Sequence, residues 1–374
     1  MKNRNLLILS YDYPPSTGGI ARLCHEITGG LSSFYNTITI LTVDIPTVSI
    51  PYQTSSTVEV IRLPAKRIQC ELATIRTISK IKDKQSYDVI CGIWHPEALL
   101  AFLGGMKNIY ILGHGAEFLA GNAMMRKHFW LPIYAKWMLG KAKKVITNSH
   151  YTKGLVAHIQ PKAMVEALPL AVNHEFFTPN TSIQSTTDEV IRFVTVSRIL
   201  KFKGHDFILK TLESLPQKLQ SKIEWHIAGT GPYLEELKKL IMVSSIKSQI
   251  HLHGFIPDQE LPDFYNTKDV FILATREEKT SNQVEGFGLV FLEAQSCGIP
   301  AIGTKTGGIS DAIEVGNGGW LFEQDNVEAL THILTNIIET PELIAKQATK
   351  ARERVLQRST WEFYCKQLYK IIST

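Results

Sequence analysis

The sequence predicts an α/β protein of two domains, each built on a mainly parallel sheet. Short apolar runs alternate with helix-length segments almost from end to end, as in strands joined by crossover helices. The length, 374 residues, exceeds the roughly 250–300 at which a single hydrophobic core stops growing. The alternation breaks once, between Leu168 and Asp188, where LPLAVNHEFFTPNTSIQSTTD holds two prolines, two asparagines and a Ser/Thr-rich tail. The expected organisation is a first domain over 1–170, a linker over 171–190, a second domain over 191–355, and a C-terminal helix in 356–374 that packs back on the first.

In the first domain the apolar runs place strands at 6–10, 37–43, 58–63, 88–91, 109–112 and 144–147, with helices near 20–33, 71–83, 96–104 and 128–140. In the second they place strands at 192–196, 224–228, 249–253, 270–274, 300–303 and 319–322, with helices at 205–214, 232–243, 260–266, 289–297 and 327–339. Residues 341–374 read as two further helices, with Trp361, Phe363, Tyr364 and Tyr369 supplying apolar surface. These are two Rossmann-like halves. Ligands of open α/β sheets bind beyond the carboxyl ends of the strands, so the expected site is a cleft between the two domains.

Composition narrows the function. With 44% apolar and 20% charged residues the chain is an ordinary globular protein, which excludes disordered, collagen-like and coiled-coil classes. Apolar runs such as LLIL at 6–9 fall far short of the roughly 20 residues a membrane-spanning helix needs. The opening MKNRNLLILSYD has only four apolar residues before Ser10, too few for a signal peptide, so a cytoplasmic location is expected. The five cysteines are scattered without a C-x-x-C pair, which suggests buried thiols rather than disulfides or a cysteine zinc site. The formal charge of +5 is too dilute for a nucleic-acid-binding surface.

The most informative segment is VEGFGLVFLEAQSCGIPAIGTKTGGISDAI, residues 284–313. Gly286, Phe287, Gly288 and Leu289 open a helix whose bare N–H groups and positive dipole end favour a diphosphate. Glu285 would be repelled by phosphate, so hydroxyls are its reasonable partner. Glu293 lies five residues past Gly288, about 7.5 Å along a helix, near the offset from a diphosphate to its ribose. In VSRILKFKGHDFIL (196–209), Arg198 and Lys203 flank a loop after a strand and would neutralise a departing diphosphate. In ILSYDYPPSTGGIARLCHEI, Gly18-Gly19 precedes a helix and makes either an anion-accessible turn or merely a flexible one.

The 284–313 segment resembles the E-x7-E signature of family 4 retaining glycosyltransferases, which have the GT-B fold. The glutamates, the GFG and the later Gly307-Gly308 appear in order. The resemblance implies that Glu285 contacts hydroxyls of the transferred sugar and Glu293 the ribose. Residues 197–204 are similar to the family's G-R-x4-K-G pattern, with Ser197 where glycine is usual. YILGHGAEF resembles the family's H-G-x-E context, which implies donor-sugar contact for His114 and an acceptor-side place for Glu117. AGTGPYLEEL resembles its G-x-G-P turn, giving Gly229 and Gly231. HGFIPDQELPDFY resembles its base-cradling segment, giving Phe255 and Ile256. PLAVNHEFFTP resembles its interdomain motif, with Ala171 and Asn173 replacing Gly and Asp.

The implied activity is retaining transfer of a hexosyl residue from a UDP- or GDP-linked sugar to a carbohydrate, lipid-linked or small-metabolite hydroxyl. Synthesis of surface polysaccharide, glycolipid or lipopolysaccharide is the expected setting. No cofactor or metal is implied, and no Asp-x-Asp occurs in the chain. The competing readings are a silent nucleotide-sugar-binding subunit, a GT-B epimerase and a phosphorylase. The aromatic and basic residues of 124–145 fit either a helix seated peripherally on the inner membrane face or a core helix with a solvated basic face. TREEKTSNQ (275–283) reads as a solvated loop.

Overall fold

The computed structural model describes residues 4–16, 18–45, 57–180, 190–278 and 282–374. The chain divides into two compact units, one running to Pro169 and including Trp361–Thr374, the other Leu170–Thr360. The Ser/Thr-rich tail of the expected linker lies outside the described residues.

The first unit carries β1 (Asn5–Leu9), β2 (Ile38–Val43), β3 (Val58–Leu63), β4 (Tyr87–Cys91), β5 (Ile109–Gly113), β6 (Lys144–Thr147) and β7 (Val165–Ala167). They form one parallel sheet in the order β3-β2-β1-β4-β5-β6-β7. The second carries β8 (Ile191–Val196), β9 (Ile223–Ala228), β10 (Ile250–Gly254), β11 (Val270–Leu273), β12 (Ala301–Thr304) and β13 (Gly319–Phe322), parallel in the order β10-β9-β8-β11-β12-β13. In each sheet the order reverses beside the first strand, at β1/β4 and at β8/β11, the switch point where α/β proteins hold ligands.

Central strands are covered on both faces, which is why they read as unbroken apolar runs. Leu6 through Leu9 are wholly buried. Trp225 anchors the second core and satisfies its indole N–H on Thr195 Oγ1 at 3.0 Å. The helix Gly19–Leu31 buries its Ala21, Leu23, Cys24, Ile27 and Leu31 stripe. Helix Trp361–Ser373 packs against it where Gly30 leaves no room for a Cβ beside Cys365. Tyr110 Oη and Lys144 Nζ each donate at 2.7 Å to carbonyls of that helix, Ile372 and Ile371.

Several expectations are corrected. The helix expected at 71–83 spans Arg67–Ser79. Those at 96–104 and 128–140 begin as widened π-type turns carrying Pro96 and Pro132, Trp94–Ala98 and Arg126–Ala135, and become regular only at Leu99–Leu103 and Lys136–Leu139. Strand β7 and helix His150–Ile159 were not expected. Residues 170–180 are packed rather than free linker: Phe177 is buried, its carbonyl accepts from Ser296 Oγ at 2.6 Å, and Arg352 Nη1 donates to the same carbonyl. Lys144 is buried and is not part of a basic face. Among the described residues no helix is long and apolar enough to cross a membrane.

Candidate functional site

In the second unit the carboxyl ends of β8 and β9 and the segment after β10 enclose a cavity of about 330 Å³. Arg198, Ser197, Gly229, Thr230, Phe255, Ile256, Asp258 and Leu261 are among its lining residues. Backbone packing dictates the turn at Gly229: its φ is +133° and a Cβ there would collide with the Ser197 carbonyl oxygen. Gly231 does not line the cavity; it packs on the Ile199 carbonyl.

Arg198 is exposed and makes no ion pair among the described residues, so its guanidinium is available to an anion. Phe255 is 71% exposed on the same cavity, a ring that no packing argument explains and a ready platform for a base. Phe255→Ala is expected to weaken nucleotide binding about 10- to 100-fold, as removal of a stacked aromatic does, measurable by calorimetric titration. Asp258 on the cavity wall was missed by the sequence reading.

Lys203 and Glu285, 82 positions apart in sequence, meet in an ion pair with side-chain exposures of only 13% and 17%. Lys203 ends the short turn Lys201–Lys203, and Glu285 precedes helix Leu289–Ser296, whose N-cap Gly288 has φ +92°. The Glu285 carbonyl accepts from Gly308 N–H at 2.8 Å, so Gly307-Gly308 serves to hold this loop. Phe287 is buried, which leaves only its peptide to face a ligand. Glu293 is 7% exposed and accepts from Tyr265 Oη at 3.3 Å. Burial, reinforced by the nearby Glu293 carboxylate, pushes the Tyr265 phenol well up, so it stays a donor. Lys203, Glu285 and Glu293 do not line the cavity.

The start of the loop before this segment is not solvated as expected. Thr275 is buried, and Arg276 pairs with Asp206 at 2.8 and 3.0 Å and with Asp325 at 2.7 Å. Its peptide N–H donates to the Phe202 carbonyl, which ties it to the Lys203 turn. Residues 279–281 lie outside the described set.

In the first unit His114 follows β5. Its Nε2 lies 2.7 Å from the Gly92 carbonyl and therefore carries the proton, leaving Nδ1 as the acceptor. Glu117 closes this loop by accepting from the His114 peptide N–H. Beneath it Glu97, overlooked in the sequence, is 1% exposed and accepts from the peptides of Tyr11 and Ile93, both at 2.8 Å. Glu97 thus joins the loops that follow β1 and β4. Burial pushes its carboxyl up to about 8 against the lowering effect of those peptides. Gly18 caps helix Gly19–Leu31 with no side-chain cap, and a Cβ on Gly18 would crowd Asp12 Oδ2.

Two doubly wound parallel sheets in two units are the GT-B fold, and solved proteins of the same fold bear this out. The chain superposes on the Anabaena protein Alr3699/HepE, crystallised with UDP, with a TM-score of 0.76, 17% identity and all of both chains covered. It superposes on sucrose-phosphate synthase from Thermosynechococcus elongatus with a TM-score of 0.75, 17% identity and 98% of both chains covered. Residues 17–176 match the model of Glycosyltransferase Family 4, and residues 179–354 that of Glycosyl transferases group 1. The chain belongs to glycosyltransferase family 4. It is 26% identical, over 98% of both chains, to a GDP-mannose-dependent alpha-(1-6)-phosphatidylinositol monomannoside mannosyltransferase of Mycolicibacterium smegmatis. It is 23% identical to the amylovoran biosynthesis glycosyltransferase AmsK of Erwinia amylovora, over 58% of this chain and 53% of that one.

Proposed function

We propose that the protein transfers a mannosyl residue from GDP-mannose to an acceptor hydroxyl with retention of configuration and without a divalent ion. The observation that carries this reading is Arg198, an unpaired guanidinium on the cavity wall where β8 and β9 end. Arg198 and Lys203 hold the diphosphate and stabilise it as it departs. Glu285 accepts hydrogen bonds from the sugar hydroxyls, Glu293 from the ribose, and the peptides of Gly286 and Gly288 approach the phosphates. His114 Nδ1 accepts from the sugar. The bond from the anomeric carbon to the phosphate oxygen breaks as the acceptor oxygen bonds the same face, and the acceptor proton passes to the departing phosphate. No side-chain nucleophile is needed.

The base assignment rests on Asp258 and on the donor named for the full-length relatives. Guanine presents two N–H donors on one edge, which a carboxylate can take together, whereas uracil offers one. Asp258→Asn is therefore expected to weaken GDP more than UDP. A polysaccharide or lipid-linked acceptor fits the named relatives. For the latter, Met124, Met125, Phe129, Ile133 and Trp137 are exposed beside Lys127, Lys136 and Lys141, a face suited to an anionic bilayer.

Thermal shift with GDP and UDP, together with product analysis of GDP-mannose and UDP-glucose turnover, tests the reading. A nucleotide at 100 times its Kd adds about 2.7 kcal/mol of stability. GDP stabilisation with GDP release from GDP-mannose, both lost in Arg198→Ala, is the expected result. Stabilisation by UDP alone overturns the base assignment, and no shift with either nucleotide overturns the donor site.

A further inference from the structure

The second unit carries a cluster of metal-ligating side chains that the transfer reaction does not use. Glu224 and His226 alternate on β9 and so share one face of the sheet, and His251 stands opposite His226 on the edge strand β10. One ligand atom from each of the three residues lies within 4.8 Å of the other two. Glu224 Oε2 is 3.2 Å from His226 Nε2, and Glu224 Oε1 is 4.0 Å from His251 Nε2. Ligands about 2.0–2.1 Å from a tetrahedral zinc ion stand about 3.3–3.5 Å apart. The His226 and His251 rings stack with centroids 4.6 Å apart and planes 22° from parallel, so metal binding needs a closure together with rotation of one ring.

Two further features point to a ligand. His251 Nε2 is buried yet has no hydrogen-bond partner among the described residues, an orphan that a metal ion would satisfy. His226 Nδ1 lies 3.0 Å from His253 Nε2, so a proton on His226 Nδ1 leaves the Nε2 lone pair facing Glu224. That is the outer hydrogen bond that typically orients a metal-bound imidazole.

We infer that Glu224, His226 and His251 form a three-ligand site for a dication of the zinc class, with its remaining position open to water. Arg192, 3.7 Å from Glu224 Oε2, and Lys268 oppose a cation held by charge alone. The site therefore selects metals that bond imidazole nitrogen over Mg²⁺ or Ca²⁺. None of its three residues lines the cavity beside Arg198.

The test uses untagged, chelator-treated protein, titrated calorimetrically with Zn²⁺ and followed by absorption with Co²⁺. All five cysteines are buried, so thiols do not compete. The expected result is one equivalent of Zn²⁺ per chain, a tetrahedral Co²⁺ spectrum and a higher Tm with zinc. His251→Gln and Glu224→Gln should each reduce affinity at least about 10-fold, the scale for losing an interaction at a metal site, while His332→Gln leaves it unchanged. His251 is 40% exposed on an edge strand, so its variant should fold, and melting curves in chelator verify this for both. A wild type that binds no zinc, or binding that survives both substitutions, overturns the site. The readout needs no turnover, so its failure leaves the transferase reading intact.

Discussion

Arg198→Ala is expected to lower kcat/KM by about 100- to 1,000-fold, the usual effect of removing one preorganised group that stabilises transition-state charge. The Tm should hold, because the side chain is exposed and makes no ion pair among the described residues. Lys203→Met should differ in kind. It strands Glu285, whose side chain is only 17% exposed, so the fold loses about 1–3 kcal/mol in addition to the loss of turnover. The double variant Lys203→Met/Glu285→Gln removes the unpaired charge and should recover most of that stability, yet stay inactive. Denaturant titration and initial rates on the four proteins separate the two roles. Equal losses of stability in the Lys203 single variant and the double variant would show that the stranded Glu285 charge carries no penalty.

Most of the twelve expected strands were legible as apolar runs because parallel strands covered on both faces need no polar side, while β3, β9 and β10 were legible from apolar residues alternating with polar ones. Strand β7 was not, since Val165-Glu166-Ala167 is a three-residue edge with an exposed acid at its centre. Helix His150–Ile159 was obscured by Gly154 and by burying only Thr152 and Val156, although Ser149, which accepts from Thr152 N–H at 3.2 Å, was a cap signal in plain view. At the site, motif spacing singled out Lys203 and Glu285, but nothing local reveals that residues so far apart in sequence meet. Arg276 was read as solvated because its partners, Asp206 and Asp325, lie 70 and 49 positions away. Glu97 left one clue, a lone acid inside the apolar run WHPEALLAFL. Its burial follows from the peptides it must satisfy, which come from two separate strand ends.

Glu97 should give the chain a pH dependence of a definite sign. Its carboxyl titrates near 8 in the folded protein against 4.5 for the free group, so between these values the folded state binds more protons than the unfolded one. Stability contributed by this group is complete below pH 4.5 and is lost as pH rises towards 8, by up to about 1.4 kcal/mol per pH unit. Glu97→Gln abolishes the titration. It also leaves one of the Tyr11 and Ile93 peptides facing an amide NH₂, at a penalty of about 1–3 kcal/mol. The variant should therefore be the less stable protein at pH 5, with the difference shrinking as pH rises and changing sign before pH 8, because the wild type's loss between pH 4.5 and about 8 exceeds that penalty. Because the comparison is between two chains that share every other titrating group, the shrinking difference isolates Glu97. Denaturant unfolding of both proteins at half-unit pH steps measures it, and parallel pH profiles would place the folded-state pKa back near 4.5. The consequence reaches His114, since Gly92 begins the loop that Glu97 holds and its carbonyl receives His114 Nε2–H. Ionising Glu97 thus loads the backbone segment whose Gly92 carbonyl fixes the His114 tautomer, and the orientation of Nδ1 depends on that segment staying in place.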